Sequence, residues 1–300
     1  MPGTRILFLA LALALAAPAA AEAAKPKRQY YVSLGDSYAT GYQPSVVDQA
    51  AGTRNGFAYQ VPRLAERRGY RFKLVNFGCG GETTVSLLTR KTACAGPAPG
   101  GRDYAGRTQI AAAERFLRRH RGKVGLITVS IGGNDVTKCA REANPIPCVA
   151  AAIDAIRTNV TTIAERVRKA AGKKVPIVGT TYPDVFLGQW VGPSPNQDLA
   201  KLSVVAFKEL VNPELAKAYA AAGGELVDVT AASGAYGSLA ETTTRLTAYG
   251  EIPLPVAKAC EYTYYCEYRD IHARTSGYRL IAKLIVKTLP RRSARRSTAT

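Results

Sequence analysis

The stretch Tyr30–Gly41, YYVSLGDSYATG, joins a short apolar run to the tripeptide Gly35-Asp36-Ser37. Aromatic and β-branched residues in such a run are typical of a strand buried in a parallel sheet. Ligands of open α/β sheets bind at the carboxyl ends of the strands, and Ser37 follows such an end on a turn that Gly35 makes permissive. Taken alone, the tripeptide is more often an ordinary turn, because Gly, Asp and Ser are common turn residues.

Two further blocks give this serine a chemical context. They are NFGCGGET at 76–83 and ITVSIGGNDV at 127–136, and each places glycines and a small polar residue at the end of a strand-like run. Acyl transfer requires a nucleophile, a base and preorganised hydrogen-bond donors. Glycines let backbone N–H groups approach a substrate closely, and an asparagine side chain adds a neutral donor. The blocks therefore favour an acyl-transfer site.

The base has few candidates, because the chain contains only two histidines. His120 lies in FLRRHRGK, at the basic end of an amphipathic helix, where we predict a solvated surface side chain. His272 lies in RDIHARTSGYRLIAKLI, just before a helix near the carboxyl terminus. A final loop at that position can return to the edge of the sheet, so His272 is the candidate base.

These blocks, in this order, resemble the SGNH (GDSL-type) hydrolase family over Tyr30 to about Lys287. The residues that carry the resemblance are Gly35-Asp36-Ser37, Gly81, Asn134 and His272, the last followed by Thr275-Ser276-Gly277-Tyr278. The resemblance implies that Ser37 is the nucleophile and His272 the general base. It also implies an oxyanion hole formed by the backbone N–H groups of Ser37 and Gly81 and the side chain of Asn134.

The chain departs from the family pattern near the histidine. The aspartate usual three residues before it is Arg269 here, Asp270 stands two residues before it, and the proline usual after it is Ala273. A carboxylate orients the imidazole and stabilises its cation, although a backbone carbonyl can also hold the tautomer. We predict Asp270 as the third catalytic member, the alternative being a loop aspartate paired with Arg269 or Arg274.

Six cysteines form three pairs that are local in sequence. Fifteen pairings are formally available, but Cys79–Cys94, Cys139–Cys148 and Cys260–Cys266 is the one that closes only short loops. We predict this pairing. No CxxC or HExxH spacing occurs, so we expect neither a metal nor another cofactor.

The amino-terminal segment is predicted to be a secretory signal peptide. Residues 1–24 combine one arginine, an apolar core over 6–17 and a run of small residues, with cleavage expected after Ala21, Ala23 or Ala24. Together with the paired cysteines, this predicts a secreted, extracellular protein. We expect residues 25–290 to form one domain and the tail at 291–300, RRSARRSTAT, to be disordered.

Strand-like and helical stretches alternate along the chain. Strands are predicted at 30–34, 72–77, 124–131, 175–180 and 225–229, and helices at 58–69, 107–120, 150–170, 199–222 and 277–288. Such alternation predicts an α/β fold with a parallel five-stranded sheet covered on both faces. The family resemblance implies a flavodoxin-like three-layer α/β/α sandwich, and the G-x-S-x-G elbow of the α/β-hydrolase fold is absent.

The net charge of +19 invites a nucleic-acid interpretation. Because the Lys and Arg residues are scattered, we expect no nucleic-acid partner. We expect a monomer that makes at most transient contact with anionic surfaces. Two segments are candidates for the walls of a substrate groove: the apolar cluster of the loop at 182–195, and residues 256–268 with their four tyrosines. The alternative for the first segment is that its apolar residues only cover the core.

The leading functional hypothesis is a secreted esterase or lipase acting on a small-molecule or lipid ester through a Ser37 acyl-enzyme. One alternative keeps the site but changes the substrate to acetyl groups on a carbohydrate. Another, from a different class, is a non-catalytic protein that binds an envelope polymer or another polyanion.

Overall fold

The computed structural model describes residues 26–44, 53–142 and 145–292. The predicted signal peptide at 1–24 lies outside these residues, as does the predicted tail beyond position 292. Within the described ranges, no helix has both the length and the apolar character needed to cross a bilayer.

Five parallel strands form the central sheet, as the sequence predicts. In spatial order β2-β1-β3-β4-β5, all neighbouring pairs are parallel. The strands are β1 Arg28–Gly35, β2 Arg71–Asn76, β3 Val124–Ser130, β4 Ile177–Thr180 and β5 Glu225–Val227. This order is that of flavodoxin-like folds. From β1 the chain first adds β2 on one side and then β3 on the other, and such sheets bind their ligands at this switch point between β1 and β3.

Twelve α-helices connect or follow the strands within the described residues. They are α1 Ser37–Thr40, α2 Phe57–Glu66, α3 Thr84–Thr89, α4 Gln109–Arg119, α5 Gly133–Thr137, α6 Pro145–Ala171, α7 Gln197–Val205, α8 Asn212–Ala221, α9 Val229–Ala232, α10 Leu254–Tyr262, α11 Tyr265–Tyr268 and α12 Thr275–Thr288. Short 3-10 helices span Lys138–Arg141, Val185–Trp190 and Thr247–Tyr249, and a small antiparallel pair joins β6 Thr242–Thr243 to β7 Ile252–Pro253.

The predicted helix at 199–222 is instead three consecutive helical segments. Between α7 and α8, the backbone widens into a π-helix over Ala206–Val211. Such wide turns are rare, and they occur frequently at functional sites.

Apolar layers lie on both faces of the sheet, because successive side chains of a strand point to opposite faces. Tyr31 of β1 packs in the layer that includes α2 and α12, whereas Val32 and Leu34 pack in the layer that includes α4, α6 and α8. The three-layer α/β/α sandwich is therefore built directly from the alternation in the first strand.

The six cysteines form the three predicted disulfides, Cys79–Cys94, Cys139–Cys148 and Cys260–Cys266. Disulfides persist mainly in oxidising compartments such as the extracellular space.

A third, smaller apolar cluster contains residues from both predicted groove walls. Leu187 and Val191 from the first segment are buried against Val256 and Cys260 from the second. These residues thus cover each other instead of facing a substrate. Of the apolar cluster in the first segment, Phe186 lines the cavity at Ser37, and Tyr182, Pro183 and Val185 from the start of the same loop line it as well.

Candidate active site

The end of β1 is held rigidly in place before the serine. Gly35 has a positive φ of 133°, and a Cβ added there would lie 1.9 Å from the carbonyl oxygen of Ser130, so no other residue fits. The buried side chain of Gln109 donates to the Gly35 carbonyl at 3.0 Å and accepts from its N–H at 2.7 Å. The position of the following turn is therefore fixed from two neighbouring elements.

Ser37 begins the short helix α1, and Asp36 caps this helix. The Asp36 carboxyl accepts from the Tyr38 N–H at 2.9 Å and from the Tyr182 hydroxyl at 2.5 Å. Burial raises the pKa of Asp36 to about 7, against the opposing effect of these hydrogen bonds. The residue beside the serine thus has a structural role in orienting the turn.

Ser37, His272 and Asp270 form a continuous hydrogen-bonded chain. The Ser37 Oγ lies 2.8 Å from Nε2 of His272, across 235 positions of sequence. The Nδ1 of the same ring lies 2.8 Å from Oδ1 of Asp270. This geometry fits the neutral tautomer that donates from Nδ1 and accepts the serine proton at Nε2.

The Asp270 carboxyl is suited to remain ionised beside the imidazole. Burial raises its pKa, but the hydrogen bonds and attraction from His272 outweigh that effect and hold the pKa below its usual value. The His272 backbone N–H also donates to Oδ1 of Asp270 at 2.8 Å. The Asp270 carboxylate thus pairs with His272 and not with Arg269 or Arg274.

Arg269 occupies the place of the usual family aspartate and makes different contacts. It is the one non-glycine residue with a positive φ in the described part of the chain, and its guanidinium donates to the carbonyls of Gly188 and Val191. The histidine loop is thereby tied to the 3-10 helix that carries Phe186. The left-handed backbone at Arg269 also brings Asp270, one residue later, under the imidazole.

Aromatic residues that the sequence motifs did not indicate contact the loop that carries His272. The Tyr38 hydroxyl donates to the Ile271 carbonyl at 2.7 Å, and the ring of Tyr42 packs on the imidazole with centroids 4.2 Å apart. Both tyrosines follow Ser37 closely in sequence. Their spacing alone could not indicate this contact, because the partner lies more than 200 residues away.

The predicted oxyanion residues lie on two loops that are joined to each other. The Asn134 amide donates to the Glu82 carbonyl at 2.9 Å and has a second N–H available, because the group carries two. Gly81, the neighbour of Glu82, has a positive φ of 75°, and a Cβ there would meet no described atom within 4 Å. The backbone of Gly81 is therefore not covered by other described residues on the side to which a Cβ would point.

Further contacts fix these loops. Asp135 accepts from both the backbone N–H and the hydroxyl of Thr84, at 2.9 and 2.7 Å. The buried Glu82 carboxyl pairs with Arg90 at 2.6 Å. The Cys79–Cys94 disulfide lies two residues before Gly81, so the loop is anchored on both sides.

A cavity opens over this arrangement, lined by both Ser37 and Asn134 as well as by Gly132, Gly133, Tyr182 and Phe186. Its volume is about 40 Å³. The nucleophile candidate and the amide donor candidate thus face the same space. Gly81 is not among the lining residues and is joined to Asn134 only through the carbonyl of its neighbour Glu82.

The other histidine lies far from this cavity. His120 ends α4, where its ring stacks on Phe116 with centroids 4.1 Å apart and also contacts Tyr30 at the start of β1. It is half-buried, so the expectation of a solvated side chain is wrong in that detail, because these two aromatic rings cover it. Its location at the opposite end of the strand from Ser37 agrees with a structural role.

Comparison with known proteins places these features in context. The model of the GDSL-like Lipase/Acylhydrolase family matches residues 33–280. No curated protein sequence matches the chain significantly.

Among solved structures, the chain is similar to an extracellular lipase from Streptomyces rimosus, with 18% identity, 86% of this chain and 98% of that chain covered, and a TM-score of 0.46. It is also similar to a phospholipase A1 from Streptomyces albidoflavus NA297, with 18% identity, coverage of 85% and 98%, and a TM-score of 0.45. A carbohydrate acetylesterase family member from Sinorhizobium meliloti shows 15% identity, coverage of 86% and 96%, and a TM-score of 0.43.

Proposed function

Because the chain belongs to the GDSL-like lipase/acylhydrolase family, we propose that it is a serine carboxylic ester hydrolase with Ser37 as nucleophile, His272 as general base and Asp270 as its orienting partner. The observation that carries the proposal is the hydrogen-bonded chain from Asp270 through His272 to Ser37. A serine, an imidazole and a carboxylate in this order define the geometry of an activated hydroxyl.

The mechanism follows from these contacts. The Ser37 Oγ attacks the ester carbonyl carbon while its proton passes to Nε2 of His272, and a C–O bond forms to give a tetrahedral oxyanion. The imidazolium then gives this proton to the departing alkoxide, which leaves as the alcohol, and an acyl-enzyme remains. Water, deprotonated by the same nitrogen, releases the acid and restores the serine.

The oxyanion has three proposed donors. They are the backbone N–H groups of Ser37 and Gly81 and the second N–H of the Asn134 amide. Donors that are fixed before the reaction stabilise the developing charge without reorganising. The link from Asn134 to the Glu82 carbonyl, together with the disulfide at Cys79, supports this preorganisation.

We also propose that the protein acts outside the cytoplasm, as a monomer without nucleic-acid partners. Its three disulfides and the signal-like segment at 1–24 support export. With a net charge of +19, transient contact with anionic surfaces is part of this proposal.

The same three residues would serve a long acyl chain or an acetyl group on a carbohydrate, so binding and not the triad decides between these substrates. A polyanion-binding protein without activity remains the hypothesis of a different class. The chemistry of Ser37 separates the enzyme from that binder.

The test compares Ser37→Ala with Ser33→Ala on short-chain p-nitrophenyl esters. Ser33 is a buried serine of β1, the strand that precedes Ser37, and its Oγ contacts the Thr128 hydroxyl and not the histidine. We expect hydrolysis to be lost in Ser37→Ala and retained in Ser33→Ala. Equal rates in Ser37→Ala and the unmodified protein, or no hydrolysis by the unmodified protein at any acyl length, would reject the enzyme.

A further inference from the structure

A second, larger cavity adjoins the one over Ser37. Its volume is about 560 Å³, which falls within the roughly 300–1,000 Å³ of small-molecule sites. It lies between α6 and the helical run formed by α7 and the π-helix. The lining residues are Val136, Val149, Ala150, Ile153, Asp154, Phe186, Leu199, Leu202, Ser203, Ala206, Phe207, Leu210 and Val211. We call this cavity the apolar groove.

The polar side chains of the groove are already engaged elsewhere. Asp154 pairs with Arg157 at 3.0 Å, and the Ser203 hydroxyl donates to the Asp184 carboxyl at 2.9 Å. All other lining side chains are hydrocarbon. A sugar ring needs hydrogen-bond partners, which these walls do not offer, whereas an alkyl chain needs only apolar surface.

The groove adjoins the cavity at Ser37 and shares lining residues with it. Val136, Phe186, Phe207 and Val211 line both spaces. The space between an acyl carbonyl at the Ser37 Oγ and the groove is therefore bounded by these four apolar side chains, past which an acyl chain would extend.

The outer rim of the groove exposes large apolar side chains. Leu202 and Leu210 line it and are 57% and 50% exposed. Exposed apolar residues that gather at one site commonly mark a binding surface, whereas scattered ones do not. The π-helix places Leu210 and Phe207 on this wall, which fits the frequent occurrence of such turns at functional sites.

We infer that the apolar groove binds the acyl chain of the substrate, so that the substrates are esters of unbranched acyl chains much longer than acetyl. This inference rests on the proposed function, because it assigns the acyl side of the ester that Ser37 attacks. Each methylene that leaves water for an apolar wall strengthens binding by up to about fourfold.

The test uses two neighbouring alanines of α6. Ala150 lines the groove and is exposed, so a large side chain there obstructs the groove without entering the core. Ala151 is also exposed and is not among the lining residues, which makes Ala151→Trp the matched control for Ala150→Trp.

We expect the unmodified protein to hydrolyse p-nitrophenyl decanoate with a kcat/KM at least about tenfold above that for the acetate. Ala150→Trp should lower kcat/KM for the decanoate by about tenfold or more and leave the acetate unchanged. Ala151→Trp should change neither. An equal loss on both esters in Ala150→Trp, or no preference for the decanoate, would overturn the inference.

A binding measurement separates this inference from the proposed function. Ser37→Ala should bind the fluorescent fatty acid cis-parinaric acid, decanoate should displace it, and adding Ala150→Trp should weaken its binding about tenfold. Such binding in a protein that hydrolyses no ester would reject the proposed function alone. Hydrolysis of the acetate without fatty-acid binding would reject the acyl-chain site alone. A dimer in light scattering that Ala150→Trp dissociates would assign the groove to a second copy and overturn the inference.

Discussion

The cavity at Ser37 and the apolar groove have four lining side chains in common but are formed by different elements of the fold. The catalytic groups come from strand ends and from a distant loop, and hydrogen bonds of 2.8 Å fix them to each other. The groove comes mainly from helices α6 and α7 and the π-helix, and its hydrocarbon side chains include the half-exposed Leu202 and Leu210. In the proposed enzyme, the sheet thus positions the catalytic groups, and the helices form the surface that selects the acyl chain.

This division predicts two kinds of variant. A change in the hydrogen-bonded chain should lower hydrolysis of short and long esters by the same factor. A change in the groove should alter only the ratio between them. The contrast can therefore be tested by measuring every variant on both p-nitrophenyl acetate and p-nitrophenyl decanoate.

The largest effect is expected from His272→Gln. Removing the general base should lower kcat by about 10⁵-fold or more on both esters. His120→Gln is the matched control, because that ring lies at the opposite end of β1, beside Tyr30. A loss confined to the long ester, or a similar loss in His120→Gln, would break the proposed division.

Asp270→Asn should have the next largest effect. The amide cannot stabilise the imidazolium and favours the wrong tautomer, so kcat should fall by roughly 10³- to 10⁴-fold. Glu267→Gln, in the same segment but paired with Arg274, should retain activity. If the loss in Asp270→Asn is less than about tenfold, a backbone carbonyl and not this carboxylate orients the ring.

Asn134→Ala tests the oxyanion donor. We expect kcat to fall by about 100- to 1,000-fold on both esters, with KM almost unchanged, because the lost hydrogen bond strengthens only in the transition state. Kinetics on the two esters give both constants. A raised KM with an unchanged kcat would instead show that the side chain binds the ground state of the substrate.

The smallest effect concerns the free energy of unfolding and involves Asp184, which accepts a hydrogen bond from the groove residue Ser203. Burial raises the pKa of Asp184, which caps the 3-10 helix of Phe186, to about 7. The folded protein therefore holds a proton that the unfolded chain releases, so the free energy of unfolding should decrease as the pH rises from about 4 to 7.

Asp184→Asn should remove part of this decrease, on the order of 1 kcal/mol or more. Urea unfolding at several pH values within the window measures it, with Asp198→Asn, an exposed residue of α7, as control. An unchanged pH slope in Asp184→Asn would show that burial does not perturb this carboxyl as described. Activity should persist in both variants, because neither residue belongs to the catalytic chain.

The sequence predicted the candidate catalytic residues far better than the residues that line the apolar groove. Glycine is required at 35 because a Cβ there would lie 1.9 Å from the Ser130 carbonyl oxygen of the neighbouring strand, and residues with such strict constraints are visible as motifs. The central strands β1, β3 and β4 were equally predictable, because residues buried on both faces form short apolar runs. The catalytic residues Ser37 and His272 were proposed from motifs for the same reason, since their chemistry restricts the residue type.

The groove was not predictable, because many apolar side chains serve equally well in such a wall. The loop at 182–195 was expected to supply it, yet only Phe186 does so, while Leu187 and Val191 are buried in the small third cluster. The rest comes from α6 and the π-helix, whose sequence resembles any amphipathic helix. Likewise, the sequence predicted Asp270 as the partner of His272, but nothing in it showed that Arg269 would contact two carbonyls instead of this aspartate.

Covalent trapping of the nucleophile tests the central claim most directly. Treatment with diethyl p-nitrophenyl phosphate, followed by peptide mass spectrometry, should yield one phosphorylated residue per molecule, at Ser37, in step with the loss of esterase activity. His272→Gln should react far more slowly, because the hydroxyl then lacks its base. Full loss of activity with the adduct on another residue, or undiminished hydrolysis with Ser37 fully modified, would contradict the account.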